Sequence, residues 1–296
     1  MELGQIATAM VTSFSTTGEV DYDRAAKLIE HLIANGTDTL VVNGTTGESP
    51  TVTTEEKEAM LAFTIEQVNK RIPVIAGTGT NSTAESILLT KQAEKLGADG
   101  IMLVTPYYNK PNQKGMYAHF STIAGETELP VLLYNIPGRS VVNMLTDTVI
   151  ELSKVKNIRA VKEASGSLEQ MSAIISGTDD GFSVYSGDDA LTLPLLAIGG
   201  KGVVSVAAHV VGNEMQQMVN AFKQGRTEQA GAMHRALVPL FRALFSDPNP
   251  VPLKYALKKI GVETGGVRLP LIPFEEVDIQ FDSVWDNYKK QSHIFN

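Results

Sequence analysis

Short apolar runs recur along most of the chain, separated by longer stretches with helical periodicity. The runs lie at 6–11, 39–42, 73–77, 100–104, 130–134, 158–161, 182–185 and 202–206. They are continuously apolar and do not alternate with polar positions, which is typical of parallel strands buried on both faces. The pattern therefore predicts eight buried strands in the first 225 residues.

Helices are predicted in the stretches between these runs. The first begins at Asp21 and ends at Gly36, and capping-box patterns open helices over 53–69 and 82–97. The other helices of this region are predicted over 114–126, 145–152, 168–175, 190–198 and 214–222. Two junctions, at 36–40 and 97–101, share the order helix, glycine, aspartate, strand. This similarity indicates a repeated unit, although five residues are a short match.

Strand–helix alternation of this kind predicts an α/β fold, namely a parallel (β/α)8 TIM barrel. An open doubly wound sheet is the alternative, but the glycine-rich segment 77–82 lacks the third glycine of its dinucleotide fingerprint. Helices predicted over 227–245, 252–260 and 274–290 have no strands between them. We therefore expect a catalytic barrel over 1–225 and a C-terminal α-helical appendix over 226–296.

Composition narrows the function classes. The chain of 296 residues is 43% hydrophobic and 20% charged, and its net charge of −8 argues against a nucleic-acid surface. It has no cysteine, which excludes disulfides, thiolate catalysis and cysteine-ligated metals. The five histidines are scattered, so no metal site is predicted. Neither a signal peptide nor a membrane span is predicted, and a cytoplasmic location is expected.

Lys162 directly follows the apolar run 158–161. Burying a charged amine at the end of a strand costs free energy, unless the amine is neutralised or has a role in catalysis. One such role is to form a Schiff base with a carbonyl substrate, because desolvation lowers the pKa of a lysine and frees its lone pair. The alternative is a lysine that reaches the barrel rim or pairs with a carboxylate.

Polar groups also follow the other strands, at the end where a TIM barrel gathers its catalytic groups. They are Asn43-Gly44-Thr45-Thr46-Gly47-Glu48-Ser49, Pro106-Tyr107-Tyr108-Asn109, Tyr134-Asn135-Ile136-Pro137-Gly138-Arg139, Ser186-Gly187-Asp188-Asp189 and Val203-Val204-Ser205. The glycine–threonine segment 44–49 could offer backbone N–H groups and hydroxyls to a small carboxylate, or could simply be a tight turn.

The acidic residues near these positions predict structural roles. Asp188 and Asp189 are expected in a turn or a helix cap and not at a metal. Glu163 would point away from Lys162 if the strand continues, so outer-layer packing or an ion pair is expected. No metal or organic cofactor is predicted.

Three motifs together resemble the class I pyruvate aldolase superfamily, which includes dihydrodipicolinate synthases and N-acetylneuraminate lyases. They are Gly44-Thr45-Thr46-Gly47-Glu48-Ser49, Tyr134-Asn135-Ile136-Pro137-Gly138-Arg139 and Val161-Lys162-Glu163-Ala164. The resemblance extends over nearly the whole chain. The synthase branch fits best, because Arg139 matches the arginine that holds the second substrate's carboxylate. One departure is Ser13, where the family usually has proline.

The resemblance implies condensation of pyruvate with L-aspartate 4-semialdehyde to 4-hydroxy-tetrahydrodipicolinate, in diaminopimelate and lysine biosynthesis. It implies that Lys162 forms the imine and that Tyr134, Thr45 and Tyr108 relay protons, with Tyr108 supplied by a neighbouring subunit. The implied substrate-binding residues are Thr46, Arg139, Val204 and Gly187.

The resemblance also implies a homotetramer, a dimer of dimers, and in some members inhibition by lysine between subunits. Ser49, Asn81, Glu85 and Tyr107 match that allosteric site. Thr54 and Lys57, however, occupy positions where lysine-sensitive members often carry histidines, and Lys57 would repel an ammonium ligand. Weak or absent inhibition is therefore expected.

Two other functions stay open at this point. A sialic-acid or 2-keto-3-deoxy sugar acid lyase would keep Lys162 and Tyr134 but tolerate the loss of Arg139. A non-catalytic barrel that binds a small acid would need no nucleophile at all.

Overall fold

The computed structural model describes residues 3–274 and 279–295, and its centre is a closed barrel of eight parallel strands in sequential order. The strands are β1 (Ile6–Ala9), β2 (Thr39–Val42), β3 (Val74–Gly77), β4 (Gly100–Val104), β5 (Val131–Asn135), β6 (Ile158–Glu163), β7 (Ser183–Ser186) and β8 (Gly202–Ser205). Strand β8 pairs with β1, with Val204 beside Ala7, and this pairing closes the barrel. The predicted TIM barrel is confirmed, and the open sheet is excluded.

Helices connect successive strands and surround the barrel. They are α1 (Tyr22–Ala34), α2 (Thr54–Val68), α3 (Thr83–Leu96), α4 (Gln113–Ala124), α5 (Pro137–Ser140), α6 (Thr146–Ser153), α7 (Leu168–Gly177), α8 (Thr192–Ala197) and α9 (Ala208–Lys223). Helix α5 is absent from the sequence prediction, because four residues are too few to show periodicity. Helix α9 begins six residues earlier than predicted and is kinked at Val211.

The two predicted capping boxes differ in the structure. The Thr53 hydroxyl accepts the Glu56 amide at 3.2 Å while the Glu56 carboxylate accepts the Thr53 amide, so this box is complete. Ser82 caps α3 by accepting the Glu85 amide, but its own amide donates to the Thr80 hydroxyl at 3.0 Å. The second box is therefore only half formed, and the Glu85 side chain lines a pocket instead.

The two similar junctions perform the same task. Gly36 and Gly97 both take positive φ angles, of 82° and 89°, just after a helix. The Asp38 carboxylate then accepts the amides of Gln5 and Ile6, and the Asp99 carboxylate accepts the amide of Val74. Each aspartate thus holds the start of the preceding strand beside its own, as expected for a repeated unit.

Side chains of the strands form two separate layers of core. Those pointing inward fill the barrel and include Ala7, Val41, Leu132, Ala160 and Val204. Those pointing outward pack beneath the helices. On β6 the alternation places Ala160 and Lys162 inside and Val161 outside. This register delivers the Lys162 amine to the interior.

Among the described residues after α9, the structure has helices and connecting segments and no strand. It contains α10 (Thr227–Ala243), α11 (Val251–Lys259) and α12 (Ile279–Lys290). The last helix was predicted from 274, and residues 275–278 of that prediction lie outside the described residues. The boundary predicted at residue 225 falls between α9 and α10, and the division into barrel and appendix stays a prediction. Across 3–274 and 279–295, no helix has the length and apolarity to cross a membrane.

Candidate active site

Lys162 lies near the end of β6 with its side chain inside the barrel and only 5% of its surface exposed. Its backbone pairs with Tyr134 on β5 and Tyr185 on β7. The pKa of its amine is lowered to about 8, mainly by burial; the Asp189 carboxylate opposes this shift and the Arg139 charge adds to it. A usable fraction of this amine is therefore neutral and nucleophilic near neutral pH.

The alternative role for this lysine has no support among the described residues. Lys162 is too buried to reach solvent at the rim, and it forms no ion pair among the residues described. Its amine lies 4.1 Å from the centroid of the Tyr134 ring. A buried amine without a carboxylate partner is the arrangement that nucleophilic catalysis by lysine requires.

Tyr134 ends the inner face of β5 and is itself buried. Burial raises the pKa of its phenol to about 12, while the Arg139 charge and a hydrogen bond with Thr45 lower the pKa in part. The phenol therefore keeps its proton at neutral pH. A protonated hydroxyl beside a neutral amine is a proton donor in the right place for imine chemistry.

The loop 44–49 proves to be a hydrogen-bonded turn. The amides of Gly47 and Ser49 donate to the Gly44 carbonyl, and the Glu48 amide donates to the Thr45 carbonyl at 3.0 Å. These three N–H groups are used within the turn, so the expectation that they converge on an anion is wrong for them. Hydroxyls remain as candidate ligands, and that of Thr46 is buried.

Gly187 lies close to the Lys162 side chain. A Cβ atom on Gly187 would come within 2.6 Å of the Ala164 Cβ and 3.1 Å of the Lys162 Cε. Only glycine lets the loop after β7 approach the lysine stem this closely. Val204 belongs to the interior layer together with Tyr134.

A pocket of about 390 Å³ opens beside these groups. Thr45, Tyr134 and Arg139 line it, so the structure brings together residues from two of the predicted motifs. Arg139 is held on helix α5 and is exposed, and its charge affects the pKa of both Lys162 and Tyr134. The pocket can therefore accept a substrate carboxylate near the nucleophile.

The four predicted allosteric positions gather at the outer part of the same pocket. Ser49, Glu85 and Tyr107 line it, and Asn81 donates its side-chain amide to the Tyr107 carbonyl at 3.1 Å. Lys57 lies among them. Burial lowers the pKa of Lys57, and the charge of Glu85 partly restores it. A cation of the protein thus already occupies the surroundings of Glu85.

Of the predicted catalytic residues, Thr45 and Tyr134 line the pocket and Lys162 contacts Tyr134, whereas Tyr108 does not line the pocket of its own chain. It is 88% exposed and has a positive φ of 70°. A bulky residue in this region of φ is strained, and such strain is often found at functional sites.

Two buried carboxylates, those of Glu163 and Asp189, accept hydrogen bonds from the protein. Glu163 makes no ion pair among the described residues and accepts hydrogen bonds from Asn135, Gln170 and the Ser165 amide. Asp188 caps a short 3-10 helix as predicted. Asp189, in contrast, is buried, and it accepts the Ser205 hydroxyl and the Val206 and Ala207 amides. Burial raises the pKa of its carboxyl to about 6.

A buried ion pair behind the threonine loop was missed in the sequence. The Lys254 amine on α11 lies 2.8 Å from Glu48, and both side chains are at most 4% exposed. The Arg268 amide donates to the same carboxylate at 2.9 Å. These contacts hold Glu48 at a positive φ of 56°. The available signal was Lys254 itself, which stands in the apolar stripe between Val251 and Leu257.

The fold and the site together define a (β/α)8 barrel protein in which a buried amine contacts Tyr134, one of the residues that line the pocket. Comparison with known proteins gives the family. The model of the Dihydrodipicolinate synthetase family matches residues 2–281, and the chain belongs to that family.

Similar proteins agree in fold and length. A 4-hydroxy-tetrahydrodipicolinate synthase of Bacillus velezensis is 56% identical over 93% of this chain and 96% of its own length. One of Bacillus subtilis is 54% identical over the same shares of the two chains. The crystal structure of dihydrodipicolinate synthase DapA-2 from Bacillus anthracis is 52% identical, with a TM-score of 0.95 over 98% of both chains.

Proposed function

We propose that this chain condenses pyruvate with L-aspartate 4-semialdehyde to form 4-hydroxy-tetrahydrodipicolinate. The observation that carries the proposal is the buried Lys162 amine, which has no carboxylate partner among the described residues and lies 4.1 Å from the Tyr134 ring. Relatives at 52–57% identity that bear the synthase name favour this reaction over that of a sugar acid lyase.

The first half of the reaction activates pyruvate. The neutral Lys162 amine attacks the keto carbon, and loss of water leaves a protonated imine. This cation withdraws electrons, so a methyl proton departs and an enamine forms. Tyr134 supplies the proton that the departing oxygen needs, because burial keeps its phenol protonated. Thr45, which is hydrogen-bonded to Tyr134, and Tyr108 of a neighbouring subunit complete the relay.

The second half forms the ring. The enamine carbon attacks the aldehyde of the semialdehyde, whose oxygen takes up a proton and becomes the 4-hydroxyl. The amino group of the same substrate then attacks the imine carbon and displaces Lys162. Every atom of the product comes from the two substrates, one water leaves, and there is no net oxidation or reduction, so this scheme invokes no metal or organic cofactor.

Carboxylate recognition orients both substrates. The Thr46 hydroxyl and the backbone near Val204 would hold the pyruvate carboxylate, with Gly187 leaving room above the lysine stem. Arg139 would form a bidentate pair with the semialdehyde carboxylate from the other side of the pocket. The two acids are then presented to one another across Lys162.

Intact mass after treatment with pyruvate and borohydride tests the imine. The wild type should gain one reduced pyruvyl group, and Lys162→Ala should gain none. Lys156→Ala is the matched control, because the side chain of Lys156 is 91% exposed. If the wild type gains no adduct, the class I aldolase mechanism is wrong and an acid-binding barrel becomes the better interpretation.

Assembly is part of the proposal. A dimer-of-dimers tetramer would let the exposed Tyr108 enter a neighbouring site. Mixing the inactive variants Tyr108→Phe and Lys162→Ala should then restore part of the activity, because some mixed sites receive both intact residues. If subunits exchange, as shown by mass, and activity does not return, Tyr108 acts within its own chain or not at all. The cytoplasmic location remains a prediction.

A further inference from the structure

We propose that Asn249 is a positioning residue that directs the Thr46 hydroxyl proton toward the substrate carboxylate. Asn249 lies in the turn before α11, where the Val251 amide donates to the Pro248 carbonyl at 3.0 Å. Its side chain is buried, and its amide nitrogen lies 3.0 Å from the Thr46 oxygen, 203 residues away in sequence. This inference rests on the proposed role of Thr46 in holding pyruvate.

The direction of this hydrogen bond is the central point. A hydroxyl has one hydrogen to donate and two lone pairs to accept with. When the Asn249 N–H occupies one lone pair of Thr46, the hydroxyl hydrogen lies in another tetrahedral direction. Among the residues that the structure describes, no protein acceptor is recorded for it. The hydrogen is therefore available to a bound carboxylate.

The side-chain oxygen of Asn249 supports a role for this residue in orienting Thr46. The side-chain oxygen of Asn249 is buried and has no hydrogen-bond partner within residues 3–274 and 279–295. A buried, unpaired acceptor is unfavourable, so a residue serving only as an anchor gains little from an amide. Asparagine offers what an aliphatic side chain lacks here, namely an N–H aimed at Thr46.

Helix α11 makes the arrangement rigid. Five residues after Asn249, Lys254 on α11 holds Glu48 at 2.8 Å, two residues after Thr46 in the loop. Both ends of the turn 46–48 are therefore fixed from α11 and the turn that precedes it. This double attachment keeps the Thr46 oxygen in place before substrate arrives, which is the geometric requirement for preorganised binding.

Steady-state kinetics on the full-length protein test the proposal. Asn249→Ala should lower kcat/KM for pyruvate about tenfold, the loss expected for one hydrogen bond to a charged group. The value for the semialdehyde should change much less. Thr46→Val should show a similar loss, and the double variant should be no worse than Thr46→Val alone. Ser246→Ala is the control: Ser246 lies in the same segment between α10 and α11, and its variant should have wild-type kcat/KM values.

Other outcomes would overturn the proposal. They are an unchanged kcat/KM in Asn249→Ala, equal losses for both substrates, or losses that add in the double variant. If Asn249→Ala does not fold, Asn249→Asp keeps the shape but replaces the donor with an acceptor. It should lose more activity toward pyruvate than the alanine variant was expected to lose, and should recover partly at lower pH as the carboxyl gains a proton. Activity equal to wild type would refute the idea.

The failure of this proposal differs from failure of the proposed function. A wild type that forms the borohydride-reduced adduct, together with a silent Asn249→Ala, refutes only the role of Asn249. A wild type without adduct removes the reaction itself.

Discussion

Replacing Lys162 with methionine should make the protein more stable at neutral pH while abolishing adduct formation. Methionine has a similar length and no charge, so it can fill the interior position beside Tyr134. The folded state lowers the pKa of the Lys162 amine from 10.5 to about 8, chiefly through burial. Burying this amine in its charged form is therefore unfavourable.

The pKa gives the magnitude and the sign. One pKa unit corresponds to about 1.4 kcal/mol, so the folded state loses about 3 kcal/mol when Lys162 is charged. The cost is fully present below pH 8. Between pH 8 and 10.5 the unfolded chain binds more protons than the folded one, so wild-type stability rises with pH across this window. The difference in free energy of unfolding between Lys162→Met and the wild type should therefore decrease as the pH rises.

Urea unfolding at pH 7 and again near pH 10 would measure both effects. Lys156→Met, at an exposed position, is the control and should be neutral at either pH. If Lys162→Met is less stable than wild type at pH 7, burial of the charged amine does not destabilise the folded state. If its advantage is the same at both values of pH, the cost does not come from the charge.

Three further outcomes follow from the site. Adduct formation with pyruvate should accelerate about tenfold per pH unit up to about pH 8 and then level off, as the neutral fraction of Lys162 grows; stopped reactions with borohydride across pH would measure it. Lys254→Ala should destabilise the fold by about 3–5 kcal/mol in urea unfolding, since Glu48 loses its buried partner. Free lysine below millimolar concentration should not inhibit the steady-state rate, because Lys57 already lies near Glu85, whereas Lys57→His should increase sensitivity.

Most of the fold could be predicted because its signals are local. Buried parallel strands are continuously apolar, and helix ends carry their own caps, so each element is visible within a few residues. Lys162 and Tyr134 could be recognised in the sequence for the same reason, because each places a polar group at the end of an apolar run. Strand ends converge in a closed barrel, so the topology alone brought these groups together.

Contacts between distant segments could not be predicted in the same way. The bonds of Asn249 with Thr46 and of Lys254 with Glu48 join residues more than 200 positions apart. Nothing in the loop 44–49 shows that a later helix will neutralise its glutamate. For Glu163, the alternation of β6 predicts which way the side chain points but leaves packing and an ion pair open; the structure shows a buried carboxylate that accepts hydrogen bonds from amides.

The ion pair between Glu48 and Lys254 also has a consequence for the order of synthesis. The two residues are 206 positions apart, which corresponds to roughly 10–40 s of translation at ordinary elongation rates. During that interval strands β3 to β8 are synthesised while Glu48 still has no lysine beside it. A nascent barrel can therefore pair its strands before the threonine loop takes its final shape. The loop at the pocket is fixed only when a helix that follows the barrel in sequence has been synthesised.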